Sequence, residues 1–337
     1  RLDYLEVTSS RSWKYTAPIR SLRAVILRRP RVGPGAIKRS IVFLLDLFPD
    51  KWELTNRLVR LKQIMSGKAV ESDSLDTKEG HLEIISNRQS ANLLLSIEDI
   101  ATFPAIDISV VSYNNGKFIP AFMASLLSQS YPTELINLVV VDNTSTDDTL
   151  SIWKKFHDQH VDQFHSFEIL VRPNLGFGCG HHAGFGQTSS EFVLVSNLDI
   201  EFTGQALQKL LSFAVQDQES TAQWELRQQP YEHPKFYDPV TLETAWSSGA
   251  CFLVRRSAYE DIGGFEKRIF LYGEDVELSF RLRDRGHKVK YVPSAVVYHY
   301  TYEEENEVKP LQFYGSTLAN SLLRIRYGNI GDIMGMI

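Results

Sequence analysis

The chain has 337 residues, of which 43% are hydrophobic and 23% charged, as expected for one large or two modest globular domains. Its formal net charge of −5 gives no reason to expect a nucleic-acid partner. Two cysteines, Cys179 and Cys251, provide no disulfide framework and favour a reducing, cytoplasmic location. The longest apolar run, IVFLLDLF at residues 41–48, is far shorter than the roughly 20 residues of a membrane-spanning helix.

Residues 1–104 predict a helical accessory segment. WELTNRLVRLKQIMSG is typical of an amphipathic helix and ANLLLSIEDI of a short one. The basic stretch SRSWKYTAPIRSLRAVILRRPR suits either the inner face of the plasma membrane or packing on a neighbouring domain, and both interpretations stay open. The chain begins without Met and ends in the apolar GDIMGMI, so we expect it to be one piece of a longer, multi-module protein.

Residues 105–300 alternate between apolar strand patterns and helix patterns. The strand patterns are IDISVVS, LVVVD, FEILV and FVLVSNLD. Continuous apolar strands separated by helices predict a mostly parallel α/β sheet that is covered on both faces. Ligands of such sheets bind beyond the carboxyl ends of the strands. The side chains at those ends are polar: Asn114, Asn115, Asp142, Asn174, Asn197 and Asp199.

The glycine-rich segment NLGFGCGHHAGFG, residues 174–186, follows the third strand. Its spacing is not G-x-G-x-x-G, and two strand–helix units precede it, which argues against a dinucleotide-binding fold. Two interpretations remain: the glycines permit close backbone packing, or the loop closes over a bound sugar nucleotide.

Three further residues have both a structural and a functional interpretation. Asp199, in SNLDIEF, is either a turn residue or a ligand of a hard divalent cation. Asp142 either begins the next helix or contacts a nucleobase. His299 is either a packed structural histidine or, if it faces Asp199, a second metal ligand.

Two adjacent acids, Glu274 and Asp275, begin the helix in FLYGEDVELSFRLRDRG after Gly273. Acids at this position are favoured by the positive end of the helix dipole alone. The apolar residues of this helix fall on two nearly opposite sides, with Val276 and Phe280 on one and Leu278 and Leu282 on the other. This predicts a helix between two layers, whose amino end opens into the protein. A carboxylate placed there is a candidate general base.

Two segments complete the chain. Residues 220–244 have an irregular, proline- and aromatic-rich pattern, and a long connection of this kind is often functional. Residues 301–337 predict a C-terminal helical extension that begins near Leu311.

Taken together, residues 105–300 resemble glycosyltransferase family 2, which has the GT-A fold. The resemblance rests on ISVVSYNNGKFI, VVVDNTSTDDT, RPNLGFGCGHHAGF, LVSNLDIEF and, most specifically, the run from SSGACFLVRRSAYEDIGGF to GHKVKYVPSAVVYH. The closest similarity is to the bacterial branch of rhamnosyl- and galactofuranosyltransferases. SRSWKYTAPIR also resembles a junction in multi-module bacterial glycan-assembly proteins.

The resemblance implies an inverting transfer from a UDP- or dTDP-sugar to a hydroxyl of a glycan acceptor on a lipid carrier. It implies Asp275 as the catalytic base, with Glu274 beside it, and Asp199 and His299 as ligands of Mg²⁺ or Mn²⁺. The nucleotide-sugar residues that it implies are Ser112, Asn114, Asp142, Asn174, Gly176, Gly178, Asn197, Leu198 and Gly249.

The chain departs from the family pattern at four positions. Asn197 replaces one carboxylate of the metal-binding motif, His181 and His182 stand where asparagine is usual, and Glu277 stands where aspartate is usual. Two alternatives to this transfer remain. One is a non-catalytic module that binds glycans or nucleotide sugars. The other is a nucleotidyltransferase, which needs a basic triphosphate loop where SYNNGK offers only Lys117.

Overall fold

The computed structural model describes residues 102–230, 235–300 and 310–328, with the side chains of 310–313 left out. The helices expected within the first hundred residues lie outside these ranges. The described residues form eight strands: β1 (Ile106–Ser112), β2 (Ile136–Asp142), β3 (Ser166–Val171), β4 (Phe192–Ser196), β5 (Ile200–Phe202), β6 (Thr221–Gln229), β7 (Cys251–Arg255) and β8 (Lys288–His299).

Seven α-helices accompany these strands in the described part of the chain. They are α1 (Ile119–Leu127), α2 (Thr149–His160), α3 (Phe177–Phe185), α4 (Ala206–Gln216), α5 (Arg256–Asp261), α6 (Glu274–Asp284) and α7 (Pro310–Tyr327). Helix α7 belongs to a different compact unit from the sheet. None of the seven is both long and apolar enough to cross a membrane.

The strands form one sheet in the order β3-β2-β1-β4-β7-β6-β8-β5. Strands β3, β2, β1 and β4 are parallel, as the alternating pattern predicts. Strand β7 then lies antiparallel to both β4 and β6, β6 is parallel to β8, and β5 is antiparallel to β8. The α/β prediction is confirmed, and the antiparallel strands β7 and β5 make the second half of the sheet mixed.

The central strands are buried on both faces because helices cover each side of the sheet. On one face, Ile108 and Val110 of β1 belong to a large cluster with Trp153 of α2. On the other face, Val193 of β4 packs in a smaller cluster with Leu278 of α6. Two buried faces explain why the strand sequences are continuously apolar.

Strand β6 was not predicted, because the sequence pattern of residues 220–244 indicates an irregular connection. The strand TAQWELRQQ is buried along most of its length although it is largely polar. Its buried polar residues, Gln223, Glu225 and Gln228, are 3% exposed or less. Two patterns predicted as separate strands, HKVKYV and SAVVYHY, form the single strand β8, with an irregularity in its pairing to β6 between Val292 and Val296.

A buried ion pair joins several elements at the opposite end of the strands from the polar residues. The Arg256 Nη2 atom lies 2.5 Å from Asp107 Oδ2, and both side chains are nearly buried. Asp107 also accepts hydrogen bonds from the backbone and hydroxyl of Ser190, and Arg256 donates to the Phe185 carbonyl. This cluster ties β1 to the segment before β4 and to the ends of α3 and α5.

The amino end of α3 packs tightly on the loop that precedes α6. Gly176 has φ +103°, and a Cβ on it would lie 2.2 Å from the carbonyl oxygen of Phe270. The Phe177 N–H donates a hydrogen bond of 2.9 Å to that carbonyl. Position 176 therefore requires glycine for two reasons, its left-handed backbone and the contact with Phe270.

We predict that Gly176→Ala lowers the free energy of unfolding by roughly 2–4 kcal/mol, because it adds both backbone strain and overpacking. Urea unfolding measures the change. Gly204→Ala is the matched control, since a Cβ there meets nothing within 4 Å. Equal effects of the two substitutions would contradict the close packing of α3 on the Phe270 loop.

Candidate active site

The carboxyl ends of β1 and β2 bring Ser112 and Asp142 together. Asp142 is fully buried, and its Oδ1 accepts hydrogen bonds from the hydroxyls of Ser112 at 3.2 Å and Ser145 at 2.6 Å. Its Oδ2 accepts the Ser145 N–H at 2.8 Å. The Asp142 carboxylate therefore organises the turn after β2, and its contact with a nucleobase stays a prediction.

Two strained residues lie at the same edge of the sheet. Asn114 and Thr144 have φ of 51° and 60°, in the left-handed region that residues other than glycine seldom adopt. The exposed Asn114 joins the two loops, because its side-chain oxygen accepts the Thr146 N–H at 2.7 Å and its N–H donates to the Ser145 hydroxyl at 3.0 Å. Strained backbone of this kind concentrates at binding sites.

The glycine-rich segment contributes a structured turn and a packed helix. The Asn174 side-chain oxygen accepts the Gly176 N–H at 3.2 Å. A Cβ on Gly178 would lie 2.7 Å from the Phe265 side chain. Packing therefore accounts for the glycines at 176 and 178, which is the first of the two interpretations of this segment. Their contact with a nucleotide sugar stays a prediction.

The segment after β4 places Asn197, Leu198 and Asp199 in three different environments. The Asn197 N–H donates to the Ala250 carbonyl at 2.8 Å, which joins this segment to the start of β7. Leu198 is 2% exposed and belongs to the large apolar cluster, so only its backbone can face a ligand. The Asp199 side chain is 24% exposed and turns toward the last strand.

Asp199 and His299 face each other, as the metal interpretation requires. The Nε2 atom of His299 lies 3.4 Å from Asp199 Oδ1, and β5 and β8 pair Ile200 with His299. Two cis ligands at ordinary bond lengths from one divalent cation lie about 3 Å apart, so the pair fits such an ion. Within the described ranges, no group of three His, Cys, Asp or Glu side chains could hold a metal.

The Asp275 carboxylate is fixed at the amino end of α6. Its Oδ2 accepts the Gly249 N–H at 2.6 Å, and its Oδ1 accepts the Val276 N–H at 2.8 Å. A Cβ on Gly249 would lie 3.3 Å from Asp275, so the backbone before β7 approaches this carboxylate closely. Asp275 is half-buried, which leaves it accessible to a reacting group.

Glu274 is placed in a different environment from its neighbour. It is 4% exposed, and its Oε2 is buried without a hydrogen-bond partner among the described residues. Burial, and then repulsion from the Asp275 carboxylate, raise the pKa of Glu274 to about 8. Glu274 is therefore mostly protonated at neutral pH.

The two apolar sides of helix α6, which predict a helix between two layers, are buried to different extents. Leu278 and Leu282 are fully buried, whereas Val276 and Phe280 are half-buried. The helix begins after Gly273, which has φ 91° and follows the left-handed residue Tyr272, φ 69°. The prediction of a helix between two layers is thus wrong in part: one side is core and the other is only partly covered.

Glu277 has a structural role. It is fully buried and accepts hydrogen bonds of 2.6–2.9 Å from the Arg281 guanidinium. Arg281 also donates to the carbonyls of Ile262 and Gly264. The longer glutamate therefore helps to hold the turn before α6.

Several buried polar residues near the site were not predicted. Glu225 and Gln228 of β6 and the nearby Lys235 all belong to the segment interpreted as irregular. Lys235 forms an ion pair with Glu225 and lies close enough to Asp275 for their charges to interact. Its Nζ lies 4.6 Å from the Trp246 ring centroid. The exposed Tyr113 at the end of β1 was also missed, although an aromatic residue beside the polar Asn114 is a usable signal.

His181 of α3 is a buried neutral histidine. Its Nδ1 lies 2.8 Å from the Ser109 hydroxyl, and its Nε2 is buried without a partner among the described residues. Burial lowers the pKa of His181 to about 3. The histidine at this position therefore supports the packing of α3 on β1 only while it is uncharged.

Two family models match the chain. The model described as glycosyl transferase family 2 matches residues 107–263, and the one described as glycosyltransferase like family 2 matches residues 238–313. An N-acetylglucosaminyl-diphospho-decaprenol L-rhamnosyltransferase of Mycobacterium tuberculosis is 27% identical over 243 residues, which are 58% of this chain and 76% of that protein. The rhamnosyltransferase WbbL of Escherichia coli is 36% identical over 59 residues, 18% of this chain and 22% of that protein.

Among solved structures, the mannosyltransferase PcManGT from Pyrobaculum calidifontis in complex with GDP-Man and Mn²⁺ is similar, with a TM-score of 0.52 and 16% identity. The similarity covers 76% of this chain and 87% of that chain. At this identity the likeness concerns the fold, which agrees with the GT-A expectation.

We predict that His181 makes the protein sensitive to acid. Because its folded pKa of about 3 lies below the ordinary value of about 6.5, only the unfolded chain takes up a proton between those pH values. His181 therefore makes its full contribution to the free energy of unfolding above pH about 6.5. This contribution falls by about 2 kcal/mol between pH 7 and pH 5. Urea unfolding at both pH values, in wild type and His181→Asn, measures the difference. The variant should lose about 2 kcal/mol less than wild type, and equal losses would show that His181 does not contribute.

Proposed function

Because the chain belongs to glycosyltransferase family 2, we propose that it transfers a sugar from a nucleoside-diphosphate sugar to a hydroxyl of a lipid-linked bacterial glycan, with inversion at the anomeric carbon. The observation that carries this proposal is the half-buried Asp275 carboxylate, which the Gly249 and Val276 amides fix at the start of α6. A carboxylate held in this way and still accessible suits a general base.

The relatives guide the choice of substrates. Two of them are named rhamnosyltransferases, and one of these names specifies a lipid-diphosphate acceptor that carries N-acetylglucosamine. We therefore favour an L-rhamnosyl donor with a dTDP or UDP leaving group. We propose that the enzyme acts at the inner face of the plasma membrane, where such an acceptor presents its sugar to the cytoplasm.

The chemistry that we propose is a single displacement. Asp275 removes the proton of the acceptor hydroxyl while the oxygen attacks the anomeric carbon. The new glycosidic bond forms as the bond to the nucleoside diphosphate breaks on the opposite face. Glu274, protonated at neutral pH, leaves the negative charge on Asp275.

The leaving diphosphate needs charge compensation. Asp199 and His299 would hold a divalent cation, Mg²⁺ or Mn²⁺, which when bound neutralises negative charge on the diphosphate. Asn197 supplies no charge at the position of the missing carboxylate. We therefore expect the protein alone to bind the ion weakly, with donor oxygens and water as the remaining ligands.

We predict that Asp275→Asn lowers kcat by about 10²- to 10⁴-fold, because the amide still accepts the Gly249 N–H but cannot take a proton. Donor affinity should change little, since the base faces the acceptor. Steady-state transfer assays and calorimetry with the donor measure the two quantities.

Glu274→Gln is the matched control for Asp275→Asn. Glu274 is expected to be protonated already, so this variant should retain much more activity than Asp275→Asn. Transfer by Asp275→Asn at nearly the wild-type rate would contradict the base assignment. A wild-type chain that binds donors and neither transfers nor hydrolyses the sugar would instead favour the non-catalytic binding module.

The metal proposal predicts positive coupling between Mn²⁺ and the nucleoside diphosphate. The affinity for dTDP or UDP should rise with Mn²⁺ in wild type, and this rise should disappear in both Asp199→Ala and His299→Ala. Calorimetric titration with Mn²⁺ and with chelator measures it. Equal affinity under both conditions, together with full transfer activity in chelator, would exclude the metal site.

A further inference from the structure

A chain of buried polar side chains leads away from His299. The His299 Nδ1 atom lies 2.9 Å from Gln228 Oε1, and Gln228 Nε2 donates to Glu225 Oε1 at 3.4 Å. Glu225 in turn forms the ion pair with Lys235. Gln228 and Glu225 are 3% and 2% exposed. The proposed transfer assigns no role to Gln228, Glu225 or Lys235.

Glu225 and Gln228 lie within hydrogen-bonding distance of one another although they are three residues apart in β6. In a regular strand, residues three apart point to opposite faces of the sheet. The adjacent residues Leu226 and Arg227 of β6 pair with Val292 and Val296, so the extra residues of this irregularity lie in β8, the strand that ends at His299. Irregularities of this kind re-aim side chains and are frequent beside active sites.

The hydrogen-bonding directions in this chain are fixed from one end to the other. Glu225 forms an ion pair with Lys235, and a carboxylate in an ion pair only accepts hydrogen bonds. The NH₂ group of Gln228 must then face Glu225, which leaves Oε1 facing His299. Because Oε1 only accepts, the His299 Nδ1 atom must carry the proton. The Nε2 atom of the neutral ring then presents a lone pair.

The His299 Nε2 atom lies 3.4 Å from Asp199 Oδ1. We propose that Gln228 is a positioning residue that holds His299 in the Nδ1–H tautomer, with Nε2 directed at Asp199, and that Glu225 and Lys235 fix the Gln228 amide. The other tautomer would donate Nε2–H to Asp199 and occupy the position between the two ligands. The consequence for metal binding rests on the proposed function, whereas the tautomer does not.

The first experiment measures the tautomer in the metal-free protein. Imidazole ¹⁵N shifts are recorded at about pH 8.5, two units above the ordinary histidine pKa of about 6.5. Burial lowers the pKa of Lys235 to about 7, so at this pH the Gln228 amide is oriented by the Glu225 carboxylate and not by the charge of Lys235. The chain has nine histidines, and His299→Asn identifies the signal that belongs to residue 299. We expect a protonated Nδ1 and an unprotonated Nε2. A ring protonated at Nε2, or an even mixture of both tautomers, would overturn the proposal.

The second experiment changes the residues that impose the tautomer. Gln228→Met removes the acceptor with little change in volume, and Glu225→Gln removes the charge that orients the amide. Both should shift His299 toward the Nε2–H form. Gln229→Met, the same change at the next, half-buried residue of β6, should leave the tautomer unchanged. An unchanged tautomer in both Gln228→Met and Glu225→Gln would contradict the positioning role.

The effect of Mn²⁺ on the affinity for the nucleoside diphosphate supplies a separate measurement. The Mn²⁺-dependent gain in dTDP or UDP affinity should fall by about 10- to 100-fold in Gln228→Met, the usual effect of losing a residue that orients a metal ligand. If Mn²⁺ has no effect even in wild type, the metal proposal fails while the tautomer result stands. A normal Mn²⁺ gain in Gln228→Met with a shifted tautomer would show that the network does not serve the cation.

Discussion

The antiparallel course of β7 is the constraint on which the site depends. Because β7 runs against β4, its first residue, Cys251, lies beside Ser196 at the carboxyl end of β4. The backbone just before β7 therefore reaches the edge where the parallel strands end. There the Ala250 carbonyl accepts the Asn197 N–H, and the Gly249 N–H binds Asp275. One reversal of strand direction thus joins the half with the parallel strands to the half that carries α6.

Environment separates the roles of acids that look alike in the sequence. Asp142 is buried and saturated by hydrogen bonds from two serines, which suits a turn organiser. Glu274 is buried without a partner for its Oε2 and is mostly protonated at neutral pH. Asp275, one residue away, is held by two backbone amides and stays accessible. Of the three, only Asp275 is half-buried, whereas Asp142 and Glu274 are enclosed in the protein.

The parallel half of the sheet could be predicted from the sequence. Both faces of those strands are buried, so the strands are continuously apolar instead of alternating between apolar and polar residues. The sequence was also sufficient to propose the pairing of Asp199 with His299, which the structure places 3.4 Å apart. It failed at β6, where Glu225 and Gln228 are buried because they bind one another and Lys235. Hydrophobic periodicity cannot reveal a buried strand whose polar groups are satisfied by one another and by other side chains. Nor can it reveal that a helix is covered more completely on one side than on the other, as α6 is.

In the displacement that we propose, Asp275 and the leaving diphosphate act on opposite faces of the transferred sugar. The most direct test is the anomeric configuration of the sugar in the product, measured by NMR and compared with that in the donor. We predict inversion of configuration. Retention would require an intermediate on the enzyme or attack from the face of the leaving group, and it would contradict the assignment of Asp275 as the base.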